Sequence, residues 1–149
     1  MISYRYAASE DVFDILNLDK EYFSNNFDEK FYIEYIENKK VLVAKEKDVV
    51  GYVLFNQIFD EAEIYKIVVS KDFRNKQIAY NLIECLIKEL KLRDVSKIFL
   101  EVRENNIPAR NLYKKCGFVE IRKIVDYYNN PKENGIMMLK EVIKWKILK

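Results

Sequence analysis

The hydrophobic pattern of the chain changes its period twice between residues 63 and 102, and this change restricts the possible folds more than any other feature. Residues 63–69 are rich in β-branched side chains, which favour a strand. Residues 97–102 form a continuous apolar run that is typical of a strand buried on both faces. Two strands joined by a helix predict a right-handed crossover between parallel strands. The helix is predicted over residues 77–92, because apolar positions recur there at helical spacing: Leu82, Ile83, Leu86, Ile87 and Leu90.

Further strands and helices are predicted on both sides of this unit. Helices are expected at residues 9–18 after a Ser9 cap, at residues 28–36 after an Asp28 cap, and at residues 109–115 between Pro108 and Gly117. The elements together predict an α/β fold with a mixed, mostly antiparallel sheet of about seven strands around a central parallel β-α-β unit. The remaining strands are expected at residues 2–6, 41–45, 49–59, 118–125 and 135–140, with polar turns at 46–48 and 60–62.

Length and composition favour one compact domain. The chain has 149 residues, of which 50% are hydrophobic, and this is enough for a substantial core. We therefore expect a single domain over residues 1–149. Residues 141–149 are apolar and basic, and they fit either an extra strand or an extra helix.

Charge and cysteine content exclude several classes of function. The 26 basic and 24 acidic residues are interspersed, which is typical of a solvated globular surface and not of a nucleic-acid binder. The N-terminus lacks an apolar signal region, and no long apolar stretch predicts a membrane span. Two cysteines cannot build a disulfide framework, so we expect a reducing, cytoplasmic environment. The chain has no histidine, and Cys85 and Cys116 are far apart in sequence, so we predict no metal site and a packing role for both thiols.

Ligands of such sheets bind beyond the C-terminal ends of the parallel strands, which here are Val69 and Val102. After Val69 comes a basic loop and then the start of a helix, whose unpaired amide groups favour a phosphate. Arg74 and Lys76 add positive charge, and Ala79 is small enough for close approach by a ligand. The alternative is an ordinary solvated basic loop.

After the second strand, the sequence offers two groups for acid–base chemistry. Glu101 lies near the strand end, and Tyr113 follows twelve residues later in the next short helix. A strand end, a loop and a helical turn can bring both side chains to one cleft. By spacing alone, Tyr113 fits a packing role equally well. The aromatic segment at residues 20–27 is similarly open, because its rings can anchor the loop to the core or face a substrate.

Both segments together resemble the GNAT superfamily of acetyl-CoA-dependent N-acetyltransferases. The resemblance is carried by VVSKDFRNKQIAYNLIECLIKEL at residues 68–90 and by FLEVRENNIPARNLYKKCGF at residues 99–118. Leu-Glu-Val-Arg at residues 100–103 is similar to the subgroup that acetylates the N-terminal alanine of a small-subunit ribosomal protein. VDYYNNPKENGIMML at residues 125–139 resembles the closing hairpin of that subgroup, whose paired tyrosines border the peptide site.

The resemblance implies a fold, a co-substrate and roles for particular residues. The strand that ends at Val69 is expected to splay from its parallel neighbour and to pair with the pantetheine arm of acetyl-CoA, without any metal. Glu101 takes the position of the general base, and Tyr113 that of the general acid. The implied coenzyme contacts are Ile67, Val68, Val69, Arg74, Asn75, Lys76, Gln77, Ile78, Ala79, Tyr80 and Asn106. A tyrosine-rich mouth formed by Tyr22, Tyr127 and Tyr128 favours a peptide as the acceptor.

Two positions depart from the pattern of the family. Gln77 replaces the first glycine of the pyrophosphate loop, and we expect it to adopt an ordinary helical φ. Lys66 stands where the subgroup often has asparagine.

The absence of histidine is compatible with this chemistry. An α-amine has a pKa of about 7.7–8.0, so it needs only a modest base, and a tyrosine is protonated at neutral pH and can serve a departing thiolate. We therefore predict an enzyme that acetylates the α-amine of a protein N-terminus, with a small-subunit ribosomal protein as the acceptor. The alternatives are a GNAT acetyltransferase for a small-molecule amine or another protein, and a non-catalytic module that binds coenzyme A or a partner.

Overall fold

A computed structural model describes residues 1–142 of the chain. The strands are β1 (Ser3–Tyr6), β2 (Val41–Lys45), β3 (Val49–Ile58), β4 (Glu61–Val69), β5 (Lys97–Arg103), β6 (Val119–Tyr128) and β7 (Glu133–Glu141). The helices are α1 (Val12–Tyr22), α2 (Glu29–Glu37), α3 (Ile78–Leu92) and α4 (Ile107–Lys115), with short 3-10 turns at Ser9–Asp11 and Lys71–Phe73. Glu141 ends β7, and the rest of the tail for which a strand or helix was expected, residues 143–149, lies outside the described residues.

The strands among residues 1–142 form one sheet in the order β1-β2-β3-β4-β5-β7-β6. β4 and β5 are parallel and are connected through α3, whereas the β1–β2, β2–β3, β5–β7 and β6–β7 pairs are antiparallel. The parallel register joins Glu61–Glu63 to Lys97–Phe99. The expected mixed, mostly antiparallel α/β fold is confirmed.

The chain forms two compact units. The first contains Met1–Asn56 and Tyr65–Leu86, and the second contains Gln57–Ile64 and, among the described residues, 87–142. In the first unit α1 and α2 bury their apolar faces in a core with β2 and β3, to which Ile15 and Tyr32 contribute fully buried side chains. Each such side chain stabilises the fold by about 1.5–3 kcal/mol.

The start of the first helix differs from the expectation. Ser9 does not cap an α-helix, because residues 9–11 form a 3-10 turn and α1 begins at Val12. The carboxylate of Asp11 accepts a hydrogen bond from the amide of Ala8 at 2.8 Å and pairs with Arg5 at 2.8 Å and Lys45 at 3.0 Å. Asp11 is the N-cap residue of α1, but its side chain makes no capping hydrogen bond to that helix, and α1 continues to Tyr22.

Two strand predictions also need correction. The turn expected at residues 60–62 lies at residues 59–60, where Phe59 has a φ of 56°, and β4 therefore begins at Glu61. β5 is not buried on both faces, because burial alternates along it. Leu100 and Val102 are buried, whereas Glu101 on the opposite face stays partly exposed. This alternation leaves the carboxylate of Glu101 available for chemistry.

Other expected boundaries are confirmed within one or two residues. The Asp28 side chain caps α2 by accepting from the Phe31 amide at 2.8 Å. Pro108 lies in the first turn of α4, and Gly117 follows the end of that helix with a φ of 96°. β6 extends further than expected, to Tyr128, so the paired tyrosines lie in a strand rather than in the loop.

Candidate active site

The loop after β4, in the first unit, has the left-handed backbone that glycine usually supplies. Asn75 has a φ of 64° and Gln77 a φ of 60°. The expectation of an ordinary helical φ for Gln77 is therefore wrong. The carbonyl of Gln77 accepts from the amide of Asn81 at 2.9 Å, so this residue turns the exposed loop directly into α3. A left-handed φ costs a side-chain-bearing residue about 1–2 kcal/mol, and the loop keeps its shape despite that cost.

Side chains from the first unit hold this loop. Arg74 donates through Nε to the carbonyl of Val69 at 3.2 Å, and its guanidinium lies 5.2 Å from the ring centre of Tyr22. The Tyr22 hydroxyl accepts from the amide of Lys71 at 2.8 Å. Tyr22, which was expected at the peptide mouth, thus connects the end of α1 to the loop.

The remaining expected coenzyme residues of this unit flank the loop. Val68 and Val69 are buried at the end of β4, and Ile67 is half-buried. β3 approaches closely here, because a Cβ at Gly51 would lie 2.8 Å from the carbonyl oxygen of Val68. Lys76 is exposed, and its ammonium lies 5.2 Å from the ring centre of Phe73. At the start of α3, the expected contacts are one buried residue, Ile78, and two half-buried residues, Ala79 and Tyr80.

In the second unit, Glu101 lies between a carboxyl group and a tyrosine. The Tyr127 hydroxyl donates to Glu101 Oε1 at 3.2 Å. Glu63 of β4 pairs in register with Phe99, two residues before Glu101, so Glu63 and Glu101 project from the same face of neighbouring strands. Burial, together with the nearby Glu101 carboxylate and a hydrogen bond to it, raises the pKa of Glu63. Burial and then Glu101 also raise the pKa of Tyr127.

A glycine on β7 allows Tyr127 to take this position. A Cβ at Gly135 would lie 2.9 Å from Cδ2 of the Tyr127 ring, so the ring packs directly over the backbone of Gly135. The orientation of the Tyr127 hydroxyl toward Glu101 therefore depends on the absence of a side chain at residue 135.

The arginine of the Leu-Glu-Val-Arg motif fixes the β6–β7 loop. Arg103 Nη1 donates to the carbonyl of Pro131 at 2.9 Å and to Glu133 Oε1 at 3.3 Å, and Nη2 donates to the carbonyl of Asn129 at 3.2 Å. Its guanidinium lies 4.4 Å from the ring centre of Tyr128. Burial, with a further contribution from neighbouring anionic groups, raises the pKa of Tyr128 to about 12.

Tyr113 on α4 is a buried side chain. Its ring packs against Phe118 with the ring centres 6.0 Å apart. Burial, and then the nearby Tyr128, raise the pKa of Tyr113 well above its usual value. Glu101 is among the groups that raise the pKa of Tyr128. Tyr113 is therefore protonated at neutral pH.

Asn106 serves as the N-cap of α4. Its side-chain oxygen accepts from the amide of Ala109 at 3.2 Å, so this atom is already used within the helix start. Asn106 is exposed, and its side-chain amide nitrogen lies at the position where coenzyme contact was expected.

Three residues that matter to this geometry were not identified from the sequence: Glu63, Arg103 and Gly135. The sequence could have indicated Glu63, because its position in β4 and the parallel pairing of β4 with β5 place a second carboxylate on the same face as Glu101. The other two depend on how β6 and β7 pair.

Within residues 1–142, no group of three or more histidine, cysteine or acidic side chains has a geometry that could hold a metal ion. No helix in the same part of the chain is long and apolar enough to cross a membrane.

Residues 11–118 match the acetyltransferase (GNAT) family, and the chain belongs to that family. It is 31% identical over 118 residues to the [ribosomal protein bS18]-alanine N-acetyltransferase of Haemophilus influenzae, covering 76% of this chain and 75% of the relative. The crystal structure of the ribosomal-protein-S18-alanine N-acetyltransferase from Escherichia coli has the same fold, with a TM-score of 0.86, 22% identity, and coverage of 100% of this chain and 99% of that chain. Arabidopsis thaliana NAA60 in complex with acetyl-CoA superimposes with a TM-score of 0.86 at 16% identity over 95% of this chain and 100% of that chain. The resemblance to GNAT acetyltransferases is confirmed.

Proposed function

We propose that the protein transfers the acetyl group of acetyl-CoA to the α-amine of a protein N-terminus, and that its acceptor is the N-terminal alanine of ribosomal protein bS18. The observation that carries this proposal is the carboxylate of Glu101, which is partly exposed and is oriented by Tyr127 at 3.2 Å. It offers a proton acceptor in a chain without histidine. The acceptor is supported by the Haemophilus influenzae relative, which is named for this reaction.

The basic loop and the end of β4 are proposed to bind the co-substrate. Backbone amides at residues 74–80 suit the pyrophosphate, and Arg74 and Lys76 add positive charge. Gln77 fits this role because its backbone already has the left-handed φ of a glycine. The backbone of Ile67, Val68 and Val69 is proposed to pair with the pantetheine arm, and Asn106 to contact the coenzyme through its amide nitrogen. The structure of NAA60, a protein of the same fold, in complex with acetyl-CoA supports acetyl-CoA as the co-substrate.

Two side chains are proposed to divide the proton transfer. The acceptor nitrogen forms a bond to the acetyl carbon while the bond from that carbon to sulfur breaks. Glu101 takes the proton that the nitrogen loses, directly or through a water molecule. Tyr113 donates to the sulfur as thiolate charge develops, and the amide of Val69 is proposed to donate to the acetyl oxygen. Tyr127 and Tyr128 are proposed to border the acceptor peptide, and Tyr22 is proposed as a further contact of the acceptor.

The choice of an α-amine follows from its pKa. At neutral pH an α-amine is about 300 times more often unprotonated than a lysine amine. A carboxylate is a modest base and suits the first acceptor better than the second.

Release of coenzyme A in the presence of acetyl-CoA and an alanine-initiated peptide tests the proposal. We expect turnover with the free peptide and none with the same peptide blocked at its N-terminus. Tyr113→Phe should lower kcat by roughly 10²–10⁴-fold and leave acetyl-CoA affinity nearly unchanged, because the hydroxyl acts on developing charge. Acetyl-CoA binding without turnover of any peptide would instead favour a non-catalytic module. Turnover of small amines alone would favour the other acetyltransferase alternative.

A further inference from the structure

The end of β6 carries the two tyrosines of the proposed acceptor site, but regular strand pairing does not fix their positions. The register between β6 and β7 shifts between Ile124 and Tyr128, and Tyr127 lies in this irregular stretch. The backbone of the stretch and of the following loop turns sharply, because Asp126 and Asn130 each have a φ of 55°. Contacts other than the strand ladder therefore set the orientation of the two rings.

Arg103 supplies such contacts from β5. Its Nη2 donates to the carbonyl of Asn129 at 3.2 Å, and its Nη1 donates to the carbonyl of Pro131 at 2.9 Å. Nη1 also donates to Oε1 of Glu133 at 3.3 Å. The guanidinium lies 4.4 Å from the ring centre of Tyr128, a favourable position for a cation over an aromatic ring. A planar guanidinium can bind two carbonyls, a carboxylate and a ring at once, whereas the ammonium of a lysine cannot.

Glu133 extends this anchor to the chain that follows β5. While its Oε1 accepts from Arg103, its Oε2 accepts from the amide of Asn105 at 2.6 Å. The side chains of Arg103 and Glu133 are 32% and 12% exposed, so water screens this pair less than it screens a fully exposed ion pair. The loop between β6 and β7 is thus attached to the end of β5 by two side chains.

The anchored ring is connected to the proposed base by direct contacts. Tyr128 meets Tyr127 edge to face, with the ring centres 4.9 Å apart. The Tyr127 hydroxyl donates to Glu101 Oε1 at 3.2 Å. The guanidinium of Arg103 binds the loop, so its effect on the acceptor site passes through the two tyrosines.

We propose that Arg103 is a positioning residue for the acceptor peptide. By holding residues 129–133, it keeps Tyr128, and through it Tyr127, in the orientation that the peptide N-terminus meets beside Glu101. The inference rests on the proposed function. Without the guanidinium the two rings lose their fixed orientation, which weakens peptide binding. Binding of acetyl-CoA, which is assigned to β4 and the loop after it, stays unchanged.

The kinetic test compares the KM values of the two substrates. Arg103→Met removes the guanidinium and keeps an unbranched apolar side chain. We expect the KM of an alanine-initiated peptide to rise at least about fivefold and the KM of acetyl-CoA to change by less than about twofold. Arg103→Lys keeps the charge but not the planar fork, so its peptide KM should lie closer to that of Arg103→Met than to wild type. A wild-type peptide KM in Arg103→Lys would show that charge alone suffices and would overturn the proposal.

Arg110→Met is the matched control. Arg110 on α4 is also half-buried, and it donates to Glu120 Oε2 at 2.7 Å and to the carbonyl of Glu104 at 2.6 Å. It therefore makes the same kinds of bond as Arg103, to groups outside residues 126–133. Its peptide KM should stay within about twofold of wild type. A role for Arg103 in general stability alone would reduce the folded fraction, and thus kcat, with both KM values unchanged.

Hydrogen exchange followed by mass spectrometry tests the anchor without any substrate. Amides of residues 126–133 should exchange at least about tenfold faster in Arg103→Met than in wild type, whereas those of α3 should keep their rates. Arg110→Met should keep the wild-type rates at residues 126–133. Unchanged exchange there in Arg103→Met, or faster exchange with an unchanged peptide KM, overturns the inference. A wild-type protein that acetylates no peptide refutes the proposed function instead, and the exchange rates then still decide whether Arg103 holds the loop.

Discussion

Replacement of Lys66 by methionine should strongly destabilise the protein, because it leaves a buried carboxylate without its cation. Lys66 is 8% exposed and Asp19 is 0% exposed. Lys66 Nζ lies 2.7 Å from Asp19 Oδ1, while Asp19 Oδ2 accepts from the amide of Phe27 and the hydroxyl of Tyr32, each at 3.0 Å. The ammonium also lies 4.6 Å from the ring centre of Phe23, so one cation connects β4 to the segment after α1.

The size of the effect follows from this burial. Removal of one partner of a buried ion pair costs about 3–5 kcal/mol, since the other charge stays in a poorly solvated place. Burial alone would raise the pKa of Asp19, but the hydrogen bonds from Lys66 and from the Phe27 amide outweigh it and hold the pKa below its usual value. A lowered carboxyl pKa stabilises the fold at pH values above the unfolded pKa, about 3.9, and this contribution is lost as the pH falls through the folded pKa. The difference between wild type and Lys66→Met should therefore be largest at neutral pH and shrink toward acid.

Urea unfolding at pH 7 and at lower pH measures this difference. Lys20→Met is the matched control, because Lys20 is an exposed lysine next to Asp19 in sequence, and it should change the free energy of unfolding by no more than about 0.5 kcal/mol. A double-mutant cycle with Asp19→Asn isolates the pair from the ring contacts. A loss below about 1 kcal/mol for Lys66→Met at pH 7, or one that does not shrink toward acid, would refute the reasoning.

Three further outcomes are expected. Gln77→Gly should change acetyl-CoA affinity by less than tenfold, about 1.4 kcal/mol, because the loop already has its left-handed φ; a hundredfold gain in calorimetry would contradict this. Gly51→Ala should lower the free energy of unfolding by about 1–3 kcal/mol and weaken acetyl-CoA binding, since its Cβ would lie 2.8 Å from the Val68 carbonyl oxygen; unchanged melting and binding would contradict the close approach. The pKa of Glu63 is raised in the folded state, so ionisation of Glu63 destabilises the fold as the pH rises above the usual glutamate pKa of about 4.3. In urea unfolding, the stability of Glu63→Gln relative to wild type should therefore increase between pH 4 and pH 8. The control variant Glu61→Gln should show no such increase.

The fold could be predicted from local patterns where one face of an element meets the core. The change of period between residues 63 and 102 predicted β4, α3 and β5 and their parallel arrangement, because hydrophobic spacing reports which face is buried. The same hydrophobic pattern gave a wrong prediction for the burial of β5. Phe99 made the run look continuously apolar, although it shares a partly exposed face with Glu101.

The candidate site was harder to predict from the sequence, because it depends on the register between strands and on close contacts with the backbone. Glu101 and Tyr113 could be identified from their motif, whereas the neighbour of Glu101 required the pairing of Glu63 with Phe99. The φ of Gln77 is set by the turn into α3 and opposes the preference of its own side chain. Gly135 owes its importance to a ring on the adjacent strand, which no local pattern contains.

One measurement tests the central claim most directly: the site of acetylation on a single peptide that carries both an N-terminal alanine and an internal lysine. Both amines then compete for the same acetyl-CoA at the same pH, and tandem mass spectrometry assigns the acetyl group to one nitrogen. We predict that the α-nitrogen is modified at least about tenfold faster at pH 7.4, in line with its larger unprotonated fraction. Equal modification of both nitrogens, or acetylation of the lysine alone, would contradict the assignment of this protein as an N-terminal acetyltransferase.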